Sequence, residues 1–142
     1  MKNTHPILIV ENDDDDRSII LQAFAQIEKS ESICFFSSSF ELLDYLAGVP
    51  AFDLPALIIL DYNMPECNGL ETVEKLQKLP LLKDIPVVVY STSILPETRT
   101  ALMKHNVIAC LQKGDRMEKL AEQARYFTEL IADDVDLLLG TR

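Results

Sequence analysis

Short unbroken apolar runs alternate along this chain with segments whose apolar residues recur at helical spacing. Ile7-Leu8-Ile9-Val10 is the first run, rich in β-branched residues and bounded by polar ones. Ile20, Phe24 and Ile27 then repeat at i, i+4, i+7 and predict a helix. Ser32 to Phe36 reads as the second strand. Ser38 with Glu41 has the spacing of a capping box, and Gly48 is placed to stop the helix it opens. Ala56 to Leu60 is the third run. A loop with Pro65 and Gly69 leads from it to a helix with Leu70, Val73 and Leu76 on one side. Pro86 to Tyr90 is the fourth run, Pro96 suits the first turn of the next helix, and Asn106 is expected to close that helix in the left-handed conformation. Val107 to Leu111 is the fifth run. Asp115 and Glu118 have capping-box spacing before a last helix carrying Met117, Leu120, Ala121, Ala124, Phe127 and Ile131.

Strands that are apolar throughout are strands covered on both faces, which predicts a parallel sheet with helices on each side. Right-handed crossovers make this an α/β, doubly wound, five-stranded sandwich, with its ligand site beyond the carboxyl ends of the strands. The polar residues at those ends are therefore the candidates. Strand one ends in Glu11-Asn12-Asp13, strand three in Asp61, strand four in Ser91-Thr92 and strand five in Gln112-Lys113.

This set suits phosphoryl chemistry. A carboxylate such as Asp61 can act as nucleophile and form an acyl phosphate. A second carboxylate beside it calls for a cation between them, and oxygen-only ligands favour Mg²⁺. A hydroxyl and an amine can then hold the phosphoryl oxygens.

At these residues the chain resembles the receiver domain of two-component response regulators. Ile7 to Asp13 is similar to the acidic first-strand motif, and Asp61-Tyr62-Asn63-Met64-Pro65-Glu66-Cys67-Asn68-Gly69 to the phospho-acceptor signature. Pro86 to Ser91 is similar to the fourth strand with its terminal hydroxyl, and Leu111-Gln112-Lys113 to the strand bearing the lysine. The resemblance covers residues 5–131. It leaves 132–142 as a short C-terminal tail and implies a stand-alone receiver with no output domain. It also implies a flavodoxin-like sheet of strand order 2-1-3-4-5. Asp61 is then the phosphoryl acceptor, Ser91 the switch hydroxyl and Lys113 the phosphate-pairing amine. Glu11, Asn12, Asp61 and the backbone carbonyl of Asn63 are the implied Mg²⁺ ligands. The implied partners are a sensor histidine kinase or histidine phosphotransfer protein upstream and an unidentified protein downstream, with a homodimer possible through the switching surface. Any enzymatic activity is confined to self-catalysed phosphorylation and dephosphorylation.

Three positions depart from the family pattern. Asn12 stands where a second Asp is usual, so weaker Mg²⁺ binding is expected, with Asp13 the nearest substitute. Cys110 stands three before the lysine, where the family has an aromatic residue that swings inward. Tyr90 is the nearest ring able to do related work. Gly114 replaces the usual Pro, and the loop after strand five is expected to be more flexible for it.

Composition narrows the alternatives. A net charge of −10 and a pI near 4.5 disfavour contact with nucleic acid or anionic membrane. No run reaches the length of a membrane span, and the first apolar run is too short for a signal peptide, so a cytoplasmic protein is expected. Cys34, Cys67 and Cys110 form no C-x-x-C pair and read as packing residues. Asp13 to Asp16 lacks the alternation and Gly of a calcium loop, and Asp14 to Asp16 read as an acidic first helical turn. His5 and His105 have no matching ligand partners. Two rivals stand beside the receiver reading. One is a phosphorylation-independent pseudo-receiver, favoured by Asn12. The other is a phosphatase with an Asp nucleophile, disfavoured because the second Asp it needs is here Asn63.

Overall fold

The computed structural model describes residues 6–62 and 69–139, with side chains through residue 131. Five strands, β1 (Ile7–Val10), β2 (Ile33–Phe36), β3 (Leu57–Leu60), β4 (Val87–Ser91) and β5 (Val107–Gln112), form one parallel sheet in the order β2-β1-β3-β4-β5. Five helices connect and follow them: α1 (Asp14–Gln26), α2 (Ser39–Ala47), α3 (Gly69–Gln77), α4 (Pro96–Met103) and α5 (Met117–Leu139). The doubly wound sheet and its strand order are those expected.

The period-two geometry of strands sorts the core into two layers. Ile7, Ile9, Leu57, Ile59, Val88 and Tyr90 face α1 and α5, where Ile20, Phe24, Leu120, Ala124 and Phe127 meet them. Leu8, Val10, Ile58, Leu60, Val87 and Val89 face the opposite way, onto Leu42, Leu46, Val73, Leu76 and Leu102 of α2, α3 and α4. Only β1, β3 and β4 are buried throughout. The edge strands depart from the expected double coverage: Ile108 on β5 is 41% exposed, and three of the four residues of β2 are half-buried.

Local chemistry explains most boundaries. Asp13 caps α1, its Oδ1 accepting from the Asp16 N–H at 2.9 Å, and Asp14 to Asp16 follow as the acidic first turn. Ser38 caps α2 by accepting from the Glu41 N–H, while Glu41 reaches back to the N–H of Ser37, one residue before the cap. Pro96 opens α4 at its first turn. Two expectations need correction. Asn106 is not left-handed; α4 ends at Met103 with Lys104 as its C-cap, and the Asn106 amide instead donates to the Lys83 carbonyl at 2.8 Å, tying the start of β5 to the loop before β4. The last helix starts at Met117, with the Arg116 carbonyl accepting from the Leu120 N–H, so Asp115 lies one residue too early to be its cap.

The left-handed residue among those described is Glu28, at φ 58. It closes α1 in a Schellman arrangement, with Lys29 N–H on the Phe24 carbonyl and Glu28 N–H on the Ala25 carbonyl. A side chain there costs about 1 kcal/mol that glycine avoids, less the entropy glycine adds to the unfolded chain. Glu28→Gly is expected to stabilise the fold by about 0.5 kcal/mol in urea unfolding; a loss of stability would contradict this account of the α1 stop. Among the described residues no helix is long and apolar enough to cross a membrane.

Candidate functional site

Parallel register puts the carboxyl ends of β1, β3 and β4 side by side. Val10 pairs with Leu60, and Leu60 with Val89. The next residues along β1 and β3, Glu11 and Asp61, therefore emerge as neighbours on one rim. Ser91 is fully buried and pairs with Gln112, so both strands run one residue further than the apolar pattern indicates. The Ser91 carbonyl accepts the Lys113 N–H at 2.8 Å, and the Ser91 hydroxyl donates to the Ser93 carbonyl.

Lys113 is the centre of the cluster. Its ammonium makes a direct hydrogen-bonded ion pair with Glu11 Oε1 and lies 3.4 Å from Asp16 Oδ2 and 3.8 Å from Asp61 Oδ2. The Lys113 side chain is 8% exposed, that of Glu11 2% and that of Asp61 13%. One cation thus faces three carboxylates, two of them largely shielded from water and the third, Asp16, open to it. Burial raises the Glu11 carboxyl above its usual range, the neighbouring Asp61 charge adds to this, and Lys113 and the Asp13 N–H oppose it. Burial alone would lower the Lys113 ammonium; Glu11, then Asp61 and Asp16, outweigh it, so Lys113 holds its proton more tightly than a free lysine.

Of the residues singled out in the sequence, Glu11, Asp61, Ser91 and Lys113 converge here. Asn12 is exposed at the end of β1, beside them. The Asp13 carboxylate, the nearest substitute for it, caps α1 through Oδ1. Asn63, Met64, Pro65 and Cys67, like His5, lie outside the described residues. Gly69 is explained by packing: a Cβ there would sit 2.9 Å from the Tyr62 ring, and its N–H closes on the Tyr62 carbonyl. The Gly114 loop, expected to be loose, is instead tied. A Cβ at Gly114 would lie 2.7 Å from the Lys119 side chain, and its N–H donates to Gln123 Oε1 at 3.0 Å. Cys110 is buried, which pushes its thiol up, and its carbonyl accepts from Arg99 of α4. His105 contacts the Gln77 amide.

Three contributors were not recognised from sequence. Asp16 belongs in sequence to an acidic first turn, yet it is the third carboxylate on Lys113. Arg17 donates to the Glu11 carbonyl and the Ser37 hydroxyl, both at 2.6 Å, and locks α1 to the ends of β1 and β2. Gln123 is a buried amide at an otherwise apolar α5 position, and that misplaced polarity was the available signal.

Among the described residues no three His, Cys, Asp or Glu side chains are grouped to hold a metal ion. The donor chemistry nevertheless fits Mg²⁺, which commonly takes one or two protein carboxylates and keeps its waters. Glu11 and Asp61 provide two on adjacent strands, with excess negative charge around them.

Tyr90 lies beneath this cluster, its ring centroid 5.9 Å from Lys113 Nζ and its edge against Phe127. Burial lifts its phenol well above the ordinary 10.0, against a smaller pull from the Gly114 N–H. Because the folded value exceeds the unfolded one, this stability is complete below pH 10.0 and lost as pH rises through the folded value. Unfolding free energy is therefore expected to fall from pH 10.0 upward, with this residue adding up to about 1.4 kcal/mol per pH unit. Urea titrations should show a shallower fall in Tyr90→Phe. Parallel curves would contradict the assignment.

Comparison with known proteins places this fold in a class of signalling domains. Residues 7–125 match the response regulator receiver domain, and the chain belongs to that family. It is 30% identical over 116 residues to the probable methanogenesis regulatory protein FilR2 of Methanothrix harundinacea, covering 80% of this chain and 75% of that protein. The phosphorylated cyanobacterial phytochrome response regulator RcpA superposes with a TM-score of 0.77 at 27% identity, over 90% of this chain and 94% of that one. The Mn(2+)-bound form of response regulator Rcp1 shares the fold, with a TM-score of 0.71 at 24% identity over 84% and 88% of the two chains. A longer relative, the cyclic di-GMP phosphodiesterase response regulator RpfG of Xanthomonas campestris, is 32% identical over 52% of this chain, which spans 20% of that protein.

Proposed function

We propose that this receiver accepts a phosphoryl group on Asp61 from a sensor histidine kinase or histidine phosphotransfer protein and thereby switches a protein-binding surface. The observation that supports it best is the placement of Asp61 and Glu11 on adjacent strand ends with the Lys113 ammonium 3.8 Å from Asp61. An Asp61 carboxylate oxygen forms the new bond to phosphorus as the phosphorus–nitrogen bond to the donor imidazole breaks. The electron pair leaves with the imidazole, which takes up a proton. Lys113 pairs with one phosphoryl oxygen and Ser91 donates its hydroxyl to another. Glu11, Asp61, Asn12 and the Asn63 carbonyl would hold Mg²⁺, which would supply neutralisation of the added negative charge. The phosphorylated state of RcpA, a structural relative, is in keeping with this reading.

The switched surface is α4, β5 and α5. To reach the phosphoryl group, Ser91 has to turn its hydroxyl from the Ser93 carbonyl and Lys113 has to shift toward Asp61, and both movements pull on the ends of β4 and β5. Arg99, bonded to the Cys110 carbonyl at 2.6 Å, carries such a movement to α4. This surface is where a downstream protein or a second copy would read the state. The working location is the cytoplasm.

A phosphorylation-independent receiver is the second reading. Asn12 brings no charge, and both Glu11 oxygens are already engaged, by Lys113 and by the Asp13 N–H. Incubation with acetyl phosphate separates the two. The first reading expects Mg²⁺-dependent gain of one phosphoryl group, abolished by chelator; no gain at any Mg²⁺ concentration would favour the second.

A further inference from the structure

Gln123 brackets the site lysine from behind. It projects from α5 and is 7% exposed. Its Nε2 donates to the Gln112 carbonyl at 2.8 Å, and its Oε1 accepts from the Gly114 N–H at 3.0 Å. Gln112 and Gly114 flank Lys113, whose own N–H is held by the Ser91 carbonyl. The peptide groups on both sides of Lys113 are thus fixed by one side chain, and the third anchor comes from the candidate switch residue. Oε1 also accepts from the Tyr90 hydroxyl at 2.5 Å, and the centroid of the Tyr90 ring lies 5.9 Å from the lysine Nζ. A primary amide is the group that serves here, because the position needs an acceptor for two donors and a donor for one carbonyl on the same terminus. A carboxylate offers no donor to Gln112, and an apolar side chain removes the partner of the buried Tyr90 hydroxyl and of two less buried backbone groups, the Gln112 carbonyl and the Gly114 N–H.

We infer that Gln123 is a positioning residue for Lys113: it holds the backbone on either side of the lysine so that the ammonium is presented between Glu11 and Asp61. The inference rests on the proposed phosphorylation of Asp61. Lysine has a long, flexible stem, so where its ammonium sits depends on where its Cα is held. A displacement of about 1 Å in a group that must meet a transferring phosphoryl oxygen is enough to slow the step strongly. The bracket also occupies the place where the family pattern has Pro after the lysine, so in this chain a side chain on α5 supplies the restraint on a Gly-containing loop.

The test is a double-mutant cycle read as the rate of phosphoryl incorporation from acetyl phosphate with saturating Mg²⁺. The proteins are wild type, Gln123→Met, Lys113→Ala and the double variant, with folding checked by thermal unfolding. Gln123→Met should slow incorporation about tenfold when Lys113 is present and less than about twofold when it is absent. The isosteric Gln123→Glu, which keeps the volume but cannot donate to Gln112, serves if the Met variant does not fold, with the same dependence on Lys113. An equal factor in both backgrounds, or no effect in either, would overturn the positioning role. Failure of wild type itself to incorporate phosphate would overturn the underlying reading instead.

Discussion

Lys113→Met is expected to lose about 3 kcal/mol of folding stability at neutral pH, because it leaves the buried Glu11 carboxylate facing Asp61 with no cation. Glu11 and Lys113 are both nearly excluded from water, so solvent screens their pairing little. Asp16 and Asp61 also lose the charge that offsets their mutual repulsion. Two further consequences follow. Because the Glu11 carboxyl already titrates above its usual range, the deficit should shrink as pH falls and Glu11 takes up a proton. Mg²⁺ should also restore more stability to the variant than to wild type, since the divalent ion then meets the carboxylates without competing with an ammonium. Urea unfolding at several pH values, with and without Mg²⁺, measures all three. A variant as stable as wild type at neutral pH would contradict the central role given to this ion pair.

The second large effect is expected at Asn12. Asn12→Asp places a further carboxylate beside Glu11 at the exposed end of β1. Mg²⁺ affinity depends on the count of charged oxygen ligands. One added charge about 4 Å from a divalent ion, with an effective dielectric constant near 80 at this exposed position, contributes about 2 kcal/mol before the cost of removing water from the new carboxylate. The dissociation constant should therefore tighten about tenfold. The same substitution should lower stability in the absence of Mg²⁺, because it adds a like charge to an acidic rim. Calorimetric titration decides the point. Unchanged affinity would mean that Asn12 does not contribute to the cation site, and that Lys113 rather than Asn12 limits binding.

Much of the molecule was legible in its sequence. β1, β3 and β4 are continuous apolar runs because they are central and covered on both sides, and that property is visible without a structure. The residues that end them are polar because the rim is where the sheet meets solvent, so Glu11, Asp61, Ser91 and Lys113 could be named together. The edge strands were less legible: β5 keeps an apolar composition while leaving Ile108 exposed, and nothing in a run of apolar residues records which neighbour is missing. Asn106 is ambiguous in sequence because a single Asn serves equally as a helix stop or as a side-chain tether, and the Lys83 carbonyl that decides between them is 23 residues away. Distance along the chain also hid Asp16, whose partner Lys113 is 97 residues distant. Gly114 suggests freedom of conformation in sequence, whereas its surroundings demand it for space.

The central claim is that Asp61 itself carries the phosphoryl group. The direct measurement is incubation with acetyl phosphate and Mg²⁺, then borohydride reduction, which converts an aspartyl phosphate to homoserine, and peptide mass mapping. The account predicts homoserine at position 61 in wild type and no modification in Asp61→Asn. Homoserine at another aspartate, or incorporation that survives in Asp61→Asn, would contradict it.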